Sequence, residues 1–181
     1  MDTDFFASLG IPRHLAIDVK DLEQRYYALS RKLHPDLFAR RSQAERDAAD
    51  ATMAVLNDAW RTLRDPITRA LYVLKQEGYD IAEQGTKEVP PELLEEVFEL
   101  NMALDEIESG DSDAANQVMA ARDRFDGMRS EIDADLMESF AQWDGGGGAK
   151  SLQEIRSLLN RRKYVTNLIN RANQATEHVS D

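Results

Sequence analysis

Between two helical patterns the chain carries LHPDLFARRS, residues 33–42, which decides how its N-terminal half folds. The residues before His34 place four apolar side chains at intervals of i, i+4, i+7 and i+11: Leu22, Tyr26, Leu29 and Leu33. This spacing puts them on one face of a helix that spans residues 18–33. Pro35 disfavours helical geometry at His34, so that helix should end there. Residues 42–63 form a second amphipathic pattern, with one apolar face made by Leu56, Ala59, Trp60 and Leu63. The sequence therefore predicts two antiparallel helices joined by a loop that carries His34, Pro35 and Asp36.

This hairpin and its flanking residues resemble a J domain. Upstream, Asp4-Phe5-Phe6 and Leu9-Gly10-Ile11 resemble the short first helix of that family and its turn. Downstream, residues 56–66 resemble the end of the third helix, and Arg69, Ala70 and Tyr72 resemble the fourth. The resemblance covers residues 1–77. It implies that the tripeptide stimulates ATP hydrolysis by a chaperone of the DnaK/HscA class.

The second half of the chain is predicted to be a helical bundle. Residues 78–90 hold two glycines and a proline with little apolar periodicity, which is typical of a linker. Residues 91–181 contain three helical patterns, at about 91–109, from a cap at Asp111 or Ser112 to about 143, and at about 151–175. A flexible Gly145–Gly148 connection separates the last two. No alternating strand pattern of useful length appears, so we expect an all-α chain, a J domain followed by an antiparallel three-helix bundle.

Composition narrows the function classes. The chain has 181 residues and a net charge of −12. Because it has no cysteine, disulfides, thiolate ligands and cysteine nucleophiles are excluded. Residues 78–149 hold 4 basic and 19 acidic groups, which should repel nucleic acid and anionic membranes. The three histidines form no metal-ligand motif, and no apolar run approaches a membrane span. The acidic start lacks the basic residues of a signal peptide. We therefore expect a cytoplasmic monomer that needs no cofactor or metal.

Residues 93–108 carry a second, narrower resemblance. The stretch LLEEVFEL at 93–100, which closes on LDEIE at 104–108, resembles the HscB family of J proteins. Members of that family are co-chaperones of iron–sulfur cluster assembly. The resemblance covers nearly the whole chain. It implies that the C-terminal bundle binds the cluster scaffold IscU, while the J domain engages HscA.

Helical geometry separates two apolar stripes in this segment. One stripe, which the bundle core needs, comprises Leu93, Val97, Leu100, Leu104 and Ile107. The other stripe is turned about 100° away and comprises Leu94, Phe98 and Met102. A helix with one buried side needs a second apolar stripe only if another surface packs against it. The resemblance implies that Leu94, Phe98 and Tyr164 dock the scaffold, with Glu99 at an acidic position beside them. Two residues depart from the family pattern: Glu95 replaces a frequent apolar residue, and Met102 replaces a familiar glutamate. Alternatively, Leu94 and Phe98 are core residues beneath the J domain.

The predicted chaperone-binding surface surrounds the tripeptide. Its members are His34, Pro35, Asp36, Arg25, Arg31, Lys32, Arg40 and Arg41. The family resemblance implies that Asp36 acts on a cationic network of the ATPase, and that the basic residues steer toward an acidic surface. The alternative for these charges is an ordinary solvated face. No nucleophile with an activating base is recognisable near His34 in sequence, so we expect no catalysis by this chain.

Other functions stay open at this point. A general J-domain co-chaperone with a different client fits the first half equally well. The segment Gly145–Ser151 invites a phosphate-loop interpretation, but Asp144 and Ala149 stand where that motif needs glycines. A nucleotide-binding protein and an acidic helical scaffold without a chaperone partner are therefore further alternatives.

Overall fold

The computed structural model describes residues 4–79, 91–109 and 114–177 and divides into two compact units. The first unit comprises residues 1–78 together with the short segment 143–146. The second comprises residues 79–142 and 147–181. Every regular element in the described ranges is helical, which confirms the predicted all-α class.

The residues that the structure describes between 4 and 78 form five helices. They are α1 (Phe5–Ser8), α2 (Val19–Lys32), α3 (Pro35–Phe38), α4 (Gln43–Arg64) and α5 (Pro66–Gln76). α4 packs against the other four, and the largest buried side chains around it include Phe6, Leu9, Leu22, Leu63 and Leu74. The Tyr26 hydroxyl also donates to Asn57 at 2.8 Å, and its ring stacks on Trp60 with centroids 5.2 Å apart. The predicted α2–α4 hairpin is thus held by both apolar packing and an aromatic pair.

Side-chain caps set the helix boundaries of this unit. Asp18 accepts from the Lys20 amide at the start of α2. Ser42 and Glu45 form a reciprocal capping box at the start of α4. The Ser42 hydroxyl and amide both donate to the Glu45 carboxylate and lower its pKa. Both helices consequently begin within one residue of the predicted positions.

The segment 143–146 closes the first unit through the Asp144 carboxylate. Its two oxygens accept from the backbone amides of Leu15 and Ala16, each at 2.7 Å. The buried Arg69 guanidinium donates to the carbonyl of the same residue, Leu15, at 2.8 Å. Burial lowers the pKa of Arg69, and the charges of Asp65 and Asp144 oppose that shift. Residues 15 and 16 are therefore fixed from both sides by charge-assisted hydrogen bonds.

In its described part, the second unit consists mainly of three long helices. A single 3₁₀ turn, Pro91–Leu93, precedes α6 (Leu94–Glu108), which is followed by α7 (Ala114–Gln142) and α8 (Gly148–Glu177). α7 packs against α8 along much of its length, and α6 packs against both. The buried side chains between them include Leu100, Val118, Phe125, Leu136, Phe140, Ile155 and Val165. This matches the predicted bundle, although α8 begins three residues earlier than expected. The proposed caps Asp111 and Ser112, and most of the predicted linker, lie outside the described residues.

The glycine run between α7 and α8 forms a defined corner, where a flexible connection was predicted. Gly146 has φ +97° and Gly148 φ +58°, conformations that L side chains rarely adopt. At Gly147 a Cβ would lie 2.1 Å from the Ser151 hydroxyl and 2.9 Å from the Gln142 carbonyl. Three of the four glycines therefore have a steric reason for their identity.

Candidate functional site

The His34-Pro35-Asp36 tripeptide starts the one-turn helix α3, which the sequence did not predict. His34 is the N-cap residue, and its Nδ1 lies 3.3 Å from the Asp36 amide nitrogen. This contact places the imidazole ring against the first turn of α3. The Asp36 side chain is 90% exposed, and one of its carboxylate oxygens lies 3.4 Å from the same His34 Nδ1. Asp36 can therefore contact a partner without unfolding α3.

The predicted basic residues divide into two groups. Arg25 pairs with Asp21 at 2.7 Å and also donates to the Gly10 carbonyl at 3.2 Å. Arg41 lies 3.6 Å from Glu45. The other three, Arg31, Lys32 and Arg40, are exposed and form no ion pair with any described residue. These three cations are the ones that a partner can approach without breaking an existing contact.

Two exposed apolar side chains on the same hairpin were not predicted as site residues. Tyr27 on α2 is 53% exposed, and Leu37, which directly follows the tripeptide, is 61% exposed. Tyr27 lies one position beyond the buried-face residue Tyr26, so its outward direction follows from helical geometry. That signal was available in the sequence.

The two predicted stripes of α6 differ sharply in burial. In the predicted core stripe Leu93, Val97 and Leu100 are buried, whereas Leu104 and Ile107 are only half-buried. Toward the end of α6 the buried residue is instead Ala103. In the second stripe, Leu94 is 55%, Phe98 63% and Met102 49% exposed. Leu94 and Phe98 are therefore not part of the core of their own unit. A row of three large exposed apolar residues on one helix face is a feature that commonly marks an interaction site.

The remaining predicted client residues, Glu99 and Tyr164, lie on different helices. The Glu99 carboxylate accepts from Arg124 of α7 at 2.7 Å. Tyr164 is half-buried on α8, and among the described residues no aromatic contact joins it to Phe98. Arg171 of α8 donates to Asn101 of α6 at 2.9 Å. Glu99 is thus engaged across the α6–α7 side, whereas Tyr164 stays a predicted contact residue.

The glycine corner is poorly suited to bind a phosphate. A phosphate loop needs a serine or threonine hydroxyl free to reach a bound metal. Here Ser151 is only 4% exposed, and Gly147 packs against it. The preceding element is the helix α7 rather than a strand. The corner geometry accounts for these residues without a nucleotide.

Within residues 4–79, 91–109 and 114–177, none of the helices is both long enough and apolar enough to cross a membrane. The same residues contain no group of three or more histidine, aspartate or glutamate side chains arranged to hold a metal ion.

Known families match both halves of the chain. The family described as DnaJ domain matches residues 4–72, and the HSCB C-terminal oligomerisation domain matches residues 89–173. The iron–sulfur cluster co-chaperone proteins HscB of Mus musculus and Homo sapiens are each 31% identical over 165 residues. That alignment covers 91% of this chain, which spans 65% of the length of these relatives.

Two solved structures resemble the whole chain. The chaperone HscB from Vibrio cholerae superposes with a TM-score of 0.65 at 25% identity, covering 98% of this chain and 99% of the other. The crystal structure of the human co-chaperone protein HscB gives a TM-score of 0.70 at 26% identity, covering 96% of this chain and 82% of the other.

Proposed function

We propose that the chain is a J-domain co-chaperone of the HscB type, which stimulates an HscA/DnaK-class ATPase and delivers an iron–sulfur cluster scaffold protein to it. In this proposal the chain is an activator, and the hydrolytic reaction belongs to the partner ATPase. The observation that carries the proposal is the presence of two exposed surfaces on separate units. One is the Asp36 carboxylate on α3, and the other is the Leu94–Phe98–Met102 stripe on α6.

The chaperone side of the proposal rests on the exposed charge of Asp36. A carboxylate at 90% exposure is accessible to a cationic network of the partner, and its contact with His34 at 3.4 Å leaves most of its surface open. Arg31, Lys32 and Arg40 on the same unit provide the opposite charge for steering toward an acidic surface. His34 contributes by capping α3, which holds the Asp36 backbone in place. Stimulation would then arise from contacts that bias the ATPase conformation.

Asp36→Asn tests this side directly. We expect loss of ATPase stimulation with little change in stability, because exposed substitutions usually shift it by about 0.5 kcal/mol or less. Asp50→Asn, an exposed neutralisation on α4, is the matched control. Steady-state ATP turnover by an HscA-type chaperone, with and without each variant, gives the readout. Full stimulation by Asp36→Asn would rule out the proposed role of the tripeptide.

The client side rests on the exposed stripe and its acidic surroundings. Leu94 and Phe98 are four residues apart on α6, so their side chains are neighbours. Glu95 and Glu99 are exposed on the same helix and provide negative charge beside the stripe. An apolar centre with a polar rim is the usual organisation of a protein interface. We assign Leu94, Phe98, Met102, Glu99 and Tyr164 to scaffold binding.

Calorimetry with a purified scaffold protein tests the client surface. Large anchors at an interface commonly cost roughly 2 kcal/mol when truncated. The Leu94→Ala/Phe98→Ala variant should therefore lose scaffold affinity on the order of a hundredfold or more. Met137→Ala, an exposed apolar truncation on α7, is the control, and the half-buried Tyr164 is truncated separately. Equal affinities for the double variant and the control would remove this assignment.

The calorimetry with a purified scaffold protein also distinguishes the proposed function from a second candidate, a general J-domain co-chaperone. The matched J domain favours that candidate independently of the C-terminal unit. It predicts ATPase stimulation without any measurable scaffold binding by the unmodified chain.

A further inference from the structure

A groove between α6 and α7 lies beside the exposed stripe and has no role so far. Its volume is about 390 Å³. Six side chains line most of it: Glu99, Met102 and Glu106 from α6, and Gln117, Ala120 and Arg124 from α7. Because α6 and α7 are antiparallel neighbours, the residue numbers of the lining side chains increase along α6 in the direction in which they decrease along α7. The groove therefore runs along the α6–α7 seam, with Glu99 and Arg124 at the same end.

Small side chains on α7 explain why this seam is open. Ala120 is exposed, and the next residue, Ala121, is 2% exposed and forms part of the floor. Larger residues at these positions would fill the space above α6. Met102 lies both in the groove and in the stripe with Leu94 and Phe98, since those three are spaced four residues apart. Met102 therefore connects the exposed stripe with the groove.

The charges around the groove indicate what kind of group it accepts. Glu99 and Glu106 contribute two carboxylates, and Arg124 contributes the one cation among the described lining residues. Arg124 donates to Glu99 at 2.7 Å, and their side chains are 48% and 53% exposed. An ion pair this exposed is weak and easily exchanged. A lysine or arginine from a partner can therefore replace Arg124 at Glu99 at little cost.

We propose that the client scaffold binds this groove with an apolar side chain flanked by a basic one. In the free protein Arg124 forms the ion pair with Glu99 that the client's basic side chain forms in the complex, and Arg124 is in this sense a stand-in for the client cation. This inference rests on the proposed function and extends its client surface from α6 onto α7. On binding, the client's apolar group contacts Met102 and Ala120. The client's cation displaces Arg124 as the ion-pair partner of the Glu99 carboxylate. Arg124 thus weakens binding, although it lies inside the site.

The sign of the Arg124 effect is the critical test. Arg124→Gln should tighten binding of the purified scaffold by about twofold to fivefold, which corresponds to about 0.4–1 kcal/mol at 1.4 kcal/mol per tenfold. Glu99→Gln should weaken it, and Arg124→Gln should have no further effect in the Glu99→Gln background, because the exchanged pair is absent. Arg122→Gln is the control, since Arg122 pairs with Asp123 away from the groove. Calorimetry on the full chain provides all four affinities.

Filling the groove tests its occupancy separately. Ala120→Arg should weaken scaffold binding at least tenfold, because the new side chain takes the space and repels a client cation. Ala134→Arg is the matched control, an exposed alanine on the same helix about 21 Å away at 1.5 Å per residue. Circular dichroism melting curves check that each variant keeps the fold of the unmodified chain.

The outcomes distinguish this inference from the function on which it rests. Absence of scaffold binding by the unmodified chain would refute both. Binding that falls in Leu94→Ala/Phe98→Ala but is unchanged in Ala120→Arg would refute only the groove. Unchanged or weaker binding by Arg124→Gln would refute the stand-in role of Arg124, even if Ala120→Arg failed to fold.

Discussion

The Asp144 carboxylate provides the sharpest test of how the first unit is stabilised. It accepts one hydrogen bond from each of the Leu15 and Ala16 amides, both at 2.7 Å. A hydrogen bond to a charged group contributes about 1.5–3 kcal/mol net. Ala16 is exposed, so its amide can turn to water, whereas Leu15 is fully buried and its amide would lose its acceptor. Counting only the Leu15 bond, we expect Asp144→Ala to lower the free energy of unfolding of this unit by about 2 kcal/mol.

The two tryptophans make this change measurable in the intact chain. Trp60 and Trp143 are the only tryptophans, and both belong to the first unit, so their fluorescence reports its unfolding. For a unit of 60–100 residues, 1 kcal/mol shifts the melting temperature by about 4–8 °C, so a decrease of about 8–16 °C is expected. The midpoint is compared rather than the intensity, because Trp143 adjoins the substitution. Asp135→Ala, an exposed carboxylate on α7, is the control. A midpoint equal to that of the control would show that the two hydrogen bonds contribute no net stability.

Three further predictions address steering, the long helix and the cap. Arg31→Glu should slow association with the ATPase and reduce its salt dependence, measured by stopped-flow binding at low and high salt; identical rates would exclude α2 from the contact. Gly127→Ala should stabilise α7 by about 1 kcal/mol because its Cβ meets nothing within 4 Å, whereas Gly147→Ala should destabilise the chain; denaturant unfolding of both checks the opposite signs. Ser42→Ala should cost about 1 kcal/mol near pH 7. The pKa of Glu45 is lowered by Ser42 in the folded state, so this stabilisation exists above the ordinary glutamate pKa and is lost as the pH falls. The Ser42→Ala penalty should therefore shrink in urea titrations at about pH 3, and a pH-independent penalty would contradict the capping box.

Local chemistry made most of the helices predictable. Asp18 and Ser42 are N-cap residues beside periodic apolar runs, so both the type and the start of α2 and α4 followed from the sequence. The two stripes of α6 likewise followed from a spacing of three to four residues. The one-turn helix α3 was missed because four residues are too few to show a helical period. Its capping by His34 depends on a rotamer that the sequence does not reveal.

Contacts between distant residues account for the rest. Asp144 is separated from Leu15 by 129 positions and Glu99 from Arg124 by 25, so neither pair leaves a local pattern. The glycine run was predicted to be flexible because composition alone does not show a positive φ or a close approach. The structure supplies both requirements, at Gly146 and Gly147 respectively. The spacing and identity of side chains predicted the helices. The three-dimensional structure was needed to show which distant polar groups form hydrogen bonds with each other.

The placement of Asp144 also changes how the N-terminal domain should be defined. The resemblance to a J domain covers residues 1–77, yet the compact unit includes residues 143–146 as well. Within it, Asp144 holds the amides of residues 15 and 16 while Arg69 holds the carbonyl of Leu15. A fragment that ends at residue 77 keeps Arg69, whose buried charge then loses the opposing charge of Asp144. Since an incompletely compensated buried cation is costly, we expect a fragment that ends at residue 77 to be less stable than the compact unit that includes residues 143–146.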